Sequence, residues 1–273
     1  LVQSAAASME RLNEFLSIEP DFKSGEYIPD SFKGNIEFRN VSFTYPNSGI
    51  EALKNVSFTL ASGKSLGILG KTGAGKSTIT SLIVRQYDPN SGEILIDGID
   101  LKQWHLPTLK SFLGWVPQEA FLFSDSISRN ISFGLNKTEA KNIQHAAIAA
   151  GVHENIIEFP NAYETQVGER GVTLSGGQKQ RISIARALAK KPKLMIFDDC
   201  LSAVDTETEE LILGNIKQAT SSISSLIIAH RVSSVKHCDQ IICLENGSII
   251  EKGNHAELED AGGHYSELIA LQL

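Results

Sequence analysis

One run of nine residues constrains the rest of this chain: Gly70-Lys71-Thr72-Gly73-Ala74-Gly75-Lys76-Ser77-Thr78. Before it, Ser65 to Leu69 reads as a short buried strand. After it, Lys76 to Tyr87 has helical spacing, with Ile79, Leu82, Ile83 and Tyr87 on one side. Strand, glycine loop and helix in that order form a phosphate cradle. Gly70, Gly73 and Gly75 are expected to turn the backbone through unusual dihedrals and bring its N–H groups against phosphate oxygens. The new helix points its positive end at the same anion. Lys76 is expected to reach the β- and γ-phosphates, and the Ser77 hydroxyl to ligate Mg²⁺. The loop by itself says only that a nucleoside triphosphate binds.

The 273 residues suffice for one large domain or two small ones. No apolar run approaches the length of a membrane-spanning helix. The first residue is Leu, there is no secretory signal, and a piece of a longer protein is expected. Three cysteines, Cys200, Cys238 and Cys243, are too few for a disulfide framework and suit a reducing compartment. His237 beside Cys238 lacks a second ligand pair at zinc-like spacing, so buried thiols are the better reading. The net charge of −7 argues against a nucleic-acid partner.

Residues 1–17 place Ala5, Met9, Leu12 and Leu16 on one face of an amphipathic helix. A stretch rich in turn formers, Pro20 to Gly34, follows as a linker. The helix either belongs to something outside this chain or packs on the core; the pattern fits both. From Ile36 to Leu60 apolar residues alternate with polar ones, as in half-buried antiparallel strands. Tyr45, ahead of Pro46, offers a flat ring. Strands are read at Glu93–Gly98 and at Leu113–Gln118. Ser124 to Lys191 has the texture of an inserted helical lobe, with an alanine-rich helix over Thr138–Ala150. Within it Leu174-Ser175-Gly176-Gly177-Gln178 stands directly ahead of a helix through Lys190, a second anion site. Leu194 to Phe197 reads as a wholly apolar strand delivering Asp198 and Asp199 at its carboxyl end. Asp198 there suits the hydration shell of Mg²⁺, and a helix N-cap is the plainer use of an Asp pair. Ser225 to Ala229 is one more buried strand, ending at His230 and expected beside the Asp198 strand. A hairpin around Asn246-Gly247 and two short helices close the chain.

Together these pieces resemble the nucleotide-binding domain of an ATP-binding cassette (ABC) transporter of the exporter type. Gly70 to Thr78 matches the Walker A loop, Leu174 to Gln178 the signature sequence, and Leu194 to Asp198 Walker B. Gln118 falls at the Q-loop glutamine, Ser202-Ala203-Val204-Asp205 at the D-loop and His230 at the switch histidine. Tyr45 falls at the adenine-stacking aromatic, and Gln166 to Gly171 resembles a segment found before the signature in exporters. The resemblance covers nearly all of residues 35–273. It implies an α/β P-loop NTPase of the ABC ATPase type: a mixed or parallel sheet core, an antiparallel β subdomain, and an α-helical subdomain at about 124–191. Residues 1–34 are then the end of a transmembrane-domain helix plus linker. The implied ligands are ATP, on the cradle and Tyr45, and Mg²⁺, on Ser77, Asp198 and Gln118; Asp199, His230 and Gln118 are the implied catalytic groups. The implied partners are a second nucleotide-binding domain, whose ATP the Ser175, Gly176, Gly177 and Gln178 face covers head to tail, and the coupling helices of a transmembrane domain. Those helices dock near Phe121 to Asp125, at the cytoplasmic face of the inner membrane.

One departure matters. After the Walker B aspartate the family usually has glutamate, and here stands Asp199. A carboxylate withdrawn by about 1 Å costs up to about 10²-fold in rate. This fits the slow-site half of a heterodimeric exporter; a conservative exchange in a homodimer is the alternative, and a binding-only regulatory module is the extreme form. A soluble non-transport ABC ATPase is opposed by the acidic balance and the leading helix. A small-molecule kinase has no use for Leu174 to Gln178.

Overall fold

The computed structural model describes residues 2–17, 23–135, 139–168, 174–200, 208–209, 212–215 and 223–272. Among these, the alternating stretch forms β1 (Ile36–Thr44) and β2 (Glu51–Leu60), paired antiparallel. β1 pairs on its other side with β4 (Ser91–Ile96), which turns through Asp97-Gly98 into β5 (Ile99–Asp100). The period-two pattern is obeyed: Ile36, Phe38, Val56, Phe58 and Leu60 are buried.

The second sheet is ordered β10-β9-β3-β8-β7-β6, with β3 (Ser65–Leu69), β6 (Leu113–Val116), β7 (Leu194–Asp198), β8 (Ser224–Ala229), β9 (Gln240–Glu245) and β10 (Ser248–Gly253). β9, β3, β8, β7 and β6 run parallel, and only the edge hairpin β9–β10 is antiparallel. Every residue of β7 is buried, as a parallel strand covered on both faces requires. The register aligns Leu69 with Ala229, Asp198 with Ile228 and Val116 with Phe197. The carboxyl ends of β3, β8, β7 and β6 therefore share one edge, where ligands of open α/β sheets bind.

After β3 the chain forms α2 (Lys76–Ile83), shorter than the expected helix through Tyr87. Arg85 takes a left-handed φ of 52° and ends it. The reason is tertiary. The Arg85 guanidinium is buried, paired with Asp88 at 2.9 Å and donating to the carbonyls of Lys102 and Lys23. Helical spacing continues past Ile83, but a buried charge with partners of its own outweighs it.

The inserted lobe holds α4 (Ile127–Ser132), α5 (Ala140–Ala149), α6 (His153–Ile157) and α7 (Gly176–Ala189), after α3 (Leu106–Phe112) in the main body. Ile131, Ala147, Ile156 and Ile182 form its apolar cluster, which extends to Met195 and Phe197 of β7. The chain closes with α8 (Val232–Val235), α9 (His255–Asp260) and α10 (His264–Gln272).

The first helix, α1 (Val2–Leu16), leaves Met9, Leu12, Phe15 and Leu16 more than half exposed. The stretch after it is not a loose tether. Gly25 and Tyr27 donate backbone bonds to Trp104 and Gln103, and Tyr27 and Phe32 set their rings edge-on to the fully buried Trp104. A Cβ on Gly25 would lie 2.0 Å from the Gln103 carbonyl oxygen, so the approach needs glycine. All three cysteines are buried, and burial pushes the Cys243 thiol up to about 12. Burial pushes the Cys200 thiol up as well, so neither Cys200 nor Cys243 has thiolate character at neutral pH.

Candidate nucleotide site

The loop between β3 and α2 combines two different demands for glycine. Gly75 has φ +101°, and a Cβ there would lie 2.3 Å from the Ala52 carbonyl oxygen. Gly73 is also left-handed at +82°. Gly70 corrects the expectation of unusual dihedrals at all three: its φ is not positive, and what excludes a side chain is the Leu244 carbonyl oxygen, 2.3 Å from a Cβ. Strands β2 and β9 thus press on the loop from two sides. Gly75→Ala meets both a strained dihedral and a backbone clash, and is expected to cost at least about 2 kcal/mol of stability. Urea unfolding of the variant, with an unchanged midpoint as the contrary result, checks this.

The Lys76 ammonium is folded back into the loop, donating to the carbonyls of Gly70 at 2.7 Å and Lys71 at 3.0 Å. Burial lowers its pKa, against the raising pull of Asp199 and Asp198. Ser77 Oγ donates to Asp198 Oδ1 and Thr80 Oγ1 to Asp198 Oδ2, both at 2.8 Å, so α2 and β7 are tied through one carboxylate. Thr80 escapes sequence reading: it is fully buried one turn past the cradle, and its partner lies 118 residues on. Threonine at a buried helix position four residues after the cradle lysine was the available signal.

Asp199 is nine-tenths buried and has a left-handed φ of 47°. Its Oδ2 lies 3.4 Å from Gln118 Nε2 and 3.5 Å from His230 Nε2. Burial pushes its carboxyl above the ordinary range, opposed by His230 and Lys76. On the other side of the ring, His230 Nδ1 is 3.5 Å from the Lys76 ammonium. An ammonium has only protons to offer, so Nδ1 is the side of the ring that can accept from it, while Nε2 faces Asp199. Behind this group Glu209, buried, accepts from Arg231 Nη1 at 3.1 Å and from the Ser234 hydroxyl.

Above the cradle a cleft of about 420 Å³ is lined by Tyr45, Ala52, Thr72, Gly73, Gln118 and His230, among others. Its size suits a nucleotide. The Tyr45 hydroxyl bonds Thr78 Oγ1 at 3.0 Å, and its ring meets Phe43 and Tyr87 edge-on. The Asn246-Gly247 turn, read from sequence only as a hairpin, closes the cleft: Gly247 N donates to the Ala74 carbonyl and its own carbonyl accepts from Lys54. The oxygens gathered at Asp198 are its own carboxylate, Ser77 Oγ and Thr80 Oγ1. That is a hard-cation set, and Mg²⁺ needs only one or two protein oxygens beside phosphates.

The Leu174 to Gln178 segment does not join this cleft. Ser175 caps α7 reciprocally: its Oγ accepts from Gln178 N, and the Gln178 side chain accepts from Ser175 N. Ser175 and Gly176 are exposed. With the Gln178 N–H and side chain both used in the cap, the Ser175 hydroxyl proton and the N–H groups of Gly176 and Gly177 are left for an outside anion. Gln180, one turn on, donates to the Gln118 carbonyl at 3.2 Å and links α7 to the cleft. Of the other expectations, Ser202 to Asp205 and Glu169 to Gly171 lie outside the described residues. Phe121 and Phe123 are exposed beside exposed Phe133, whereas Leu122 is turned in against the lobe's cluster.

The model of the ABC transporter family matches residues 53–202. Over 268 residues the chain is 43% identical to the probable multidrug resistance ABC transporter ATP-binding/permease protein YheI of Bacillus subtilis, covering 98% of this chain and 46% of that protein. It is 41% identical over 277 residues to human ATP-binding cassette sub-family B member 6, covering 32% of it. A solved bacterial Atm1-family ABC exporter with ATP bound superposes with a TM-score of 0.93 at 36% identity, over 99% of this chain and 48% of that one. The chain spans about half the length of these relatives, or less.

Proposed function

The chain belongs to the ABC transporter family, and from that premise we propose that it is the ATP-binding and ATP-hydrolysing domain of an exporter. Its domain spans 35–273, with a helical subdomain at about 124–191, and 1–34 continue from a transmembrane helix. The four exposed apolar residues of α1 support that continuation. ATP lies in the cleft, its adenine on Tyr45. Its phosphates lie among the N–H groups of Lys71 to Thr78, with Lys76 turning from its carbonyls to the β- and γ-phosphates. Ser77 and Asp198 hold Mg²⁺, with Gln118 reaching toward it, and the ion supplies neutralisation of phosphate charge when bound. Asp199 accepts the proton of the attacking water, and His230, its Nε2 proton forward, donates toward the γ-phosphate. The Asp199 carboxylate is short for this task, and the site is a slow one, the half of a heterodimer whose partner site turns over faster.

The single observation that carries the dimer is the outward-facing cap of α7. An anion-binding helix end that its own cleft does not use fits a second domain's ATP, with Ser175, Gly176, Gly177 and Gln178 covering it head to tail. Coupling helices of the transmembrane domain dock on Phe121, Phe123 and Phe133, which puts the domain at the cytoplasmic face of the membrane. The test is Ser175→Arg in the full-length transporter. ATP binding stays within about twofold, because the cleft is untouched, while ATP-dependent closure of the two domains, followed by distance labels, is lost. Closure that survives the arginine refutes the head-to-tail reading.

A further inference from the structure

Helix α10 carries Tyr265, Leu268 and Ile269 into an apolar cluster with Ala229, Val232 and Val235. Those three positions and Gln272 share the i, i+3, i+4, i+7 stripe of a helix, and Gln272, itself exposed at the helix end, turns its amide back along that stripe. There it makes two bonds to one short stretch of backbone. Gln272 Nε2 donates to the His230 carbonyl at 2.9 Å, and Gln272 Oε1 accepts from Val232 N at 2.8 Å. A carbonyl needs a donor and an N–H needs an acceptor, so only one orientation of the amide satisfies both. The pair brackets Arg231, the residue between them and the N-cap of α8.

We propose that Gln272 is a positioning residue for His230, fixing from the C-terminal helix the backbone that presents the imidazole to Asp199 and Lys76. The bracket sets the peptide planes on both sides of Arg231 and thereby the direction in which the His230 side chain leaves the chain. Glu209, clasping the Arg231 side chain and Ser234, restrains the same stretch through its side chains. His230 is 3.5 Å from both partners, so a shift of a few tenths of an ångström separates contact from none. Without the bracket the His230 carbonyl and Val232 N–H turn to water and the ring samples other directions.

The inference rests on the role proposed above for His230, and a double-mutant cycle separates the two. ATP turnover and ATP affinity are measured for the full-length transporter carrying Asp199→Glu, alone and with His230→Ala, Gln272→Ala, Gln272→Glu or the pair His230→Ala with Gln272→Ala. Gln272→Ala is expected to lower turnover about tenfold with affinity unchanged, and to have no further effect once His230 is Ala. Gln272→Glu keeps the length and the acceptor for Val232 but loses the donor to His230. It is expected to lower turnover similarly, and it answers the question should the alanine variant not fold. An additive loss in the His230→Ala background, a parallel loss of ATP affinity, or unchanged turnover overturns the proposal. Unchanged turnover in His230→Ala alone overturns the reading of His230 itself, and this inference with it.

Discussion

Asp199→Glu raises ATP turnover of the full-length transporter by about 10²-fold while ATP affinity stays within about threefold. The added methylene advances the carboxylate by about 1 Å, and misplacement on that scale is worth about 2.7 kcal/mol of barrier. The neighbouring groups are set for a longer side chain: Gln118 and His230 stand at 3.4 and 3.5 Å from Oδ2, long for hydrogen bonds and shortened by an advance. The groups proposed to hold ATP, on the cradle and Tyr45, are separate from Asp199 and stay as they are. The gain carries a stability cost. Asp199 sits at φ 47°, a conformation Asp tolerates better than Glu, so the variant unfolds at slightly lower urea. Brisk turnover before the change, with no gain after it, makes Asp199 a working base and returns the homodimer. No gain from a slow start moves the fault to the partner's signature segment.

The strands, loop and cap that build the candidate site lay in local runs and were legible there; the long-range hydrogen bonds that wire it were not. Ser65 to Ser77, Leu174 to Gln178 and Leu194 to Asp199 each pair a pattern with a turn or cap, and the structure has strand, loop and helix where those patterns set them. The alternation of Ile36 to Leu60 was likewise enough for an antiparallel pair, but not for the register shifts between Phe38 and Thr44, where Asn40 turns left-handed. What escaped was long-range. Nothing near Thr80 announces Asp198, nothing near Gln272 announces His230, and Glu209 meets Arg231 only once β8 has been laid beside β7. Arg85 ended α2 for the same kind of reason: its partners at Lys23 and Lys102 are far along the chain. Gly70 read as a dihedral and proved to be a contact with Leu244, a distinction only packing can make.

Lys76→Met weakens ATP binding by 10²-fold or more and, in the same protein without nucleotide, raises the unfolding temperature. The two effects have one cause. The Lys76 ammonium is buried and its pKa is lowered by that burial, so the fold disfavours its charged form relative to the unfolded chain. Below both pKa values the lysine is charged in either state and the penalty is complete. It fades only as pH rises through the folded-state value toward that of the free side chain. Methionine fills similar space without a charge. The Lys71 carbonyl, on an exposed residue, turns to water, while the buried Gly70 carbonyl loses its donor, a cost taken as smaller than the relief of the charge. Bound phosphate reverses the balance, because it adds counter-charge at the ammonium beyond the pull of Asp199 and Asp198; truncating one side of a buried charge pair costs about 2–5 kcal/mol of binding. Thermal unfolding with and without ATP reads both effects at once. The wild-type midpoint starts lower and climbs with ATP by mass action, whereas the variant starts higher and does not move. A variant that melts lower than wild type, or that keeps the ATP-dependent climb, would show that the buried charge is held by its carbonyls rather than strained in wait for phosphate.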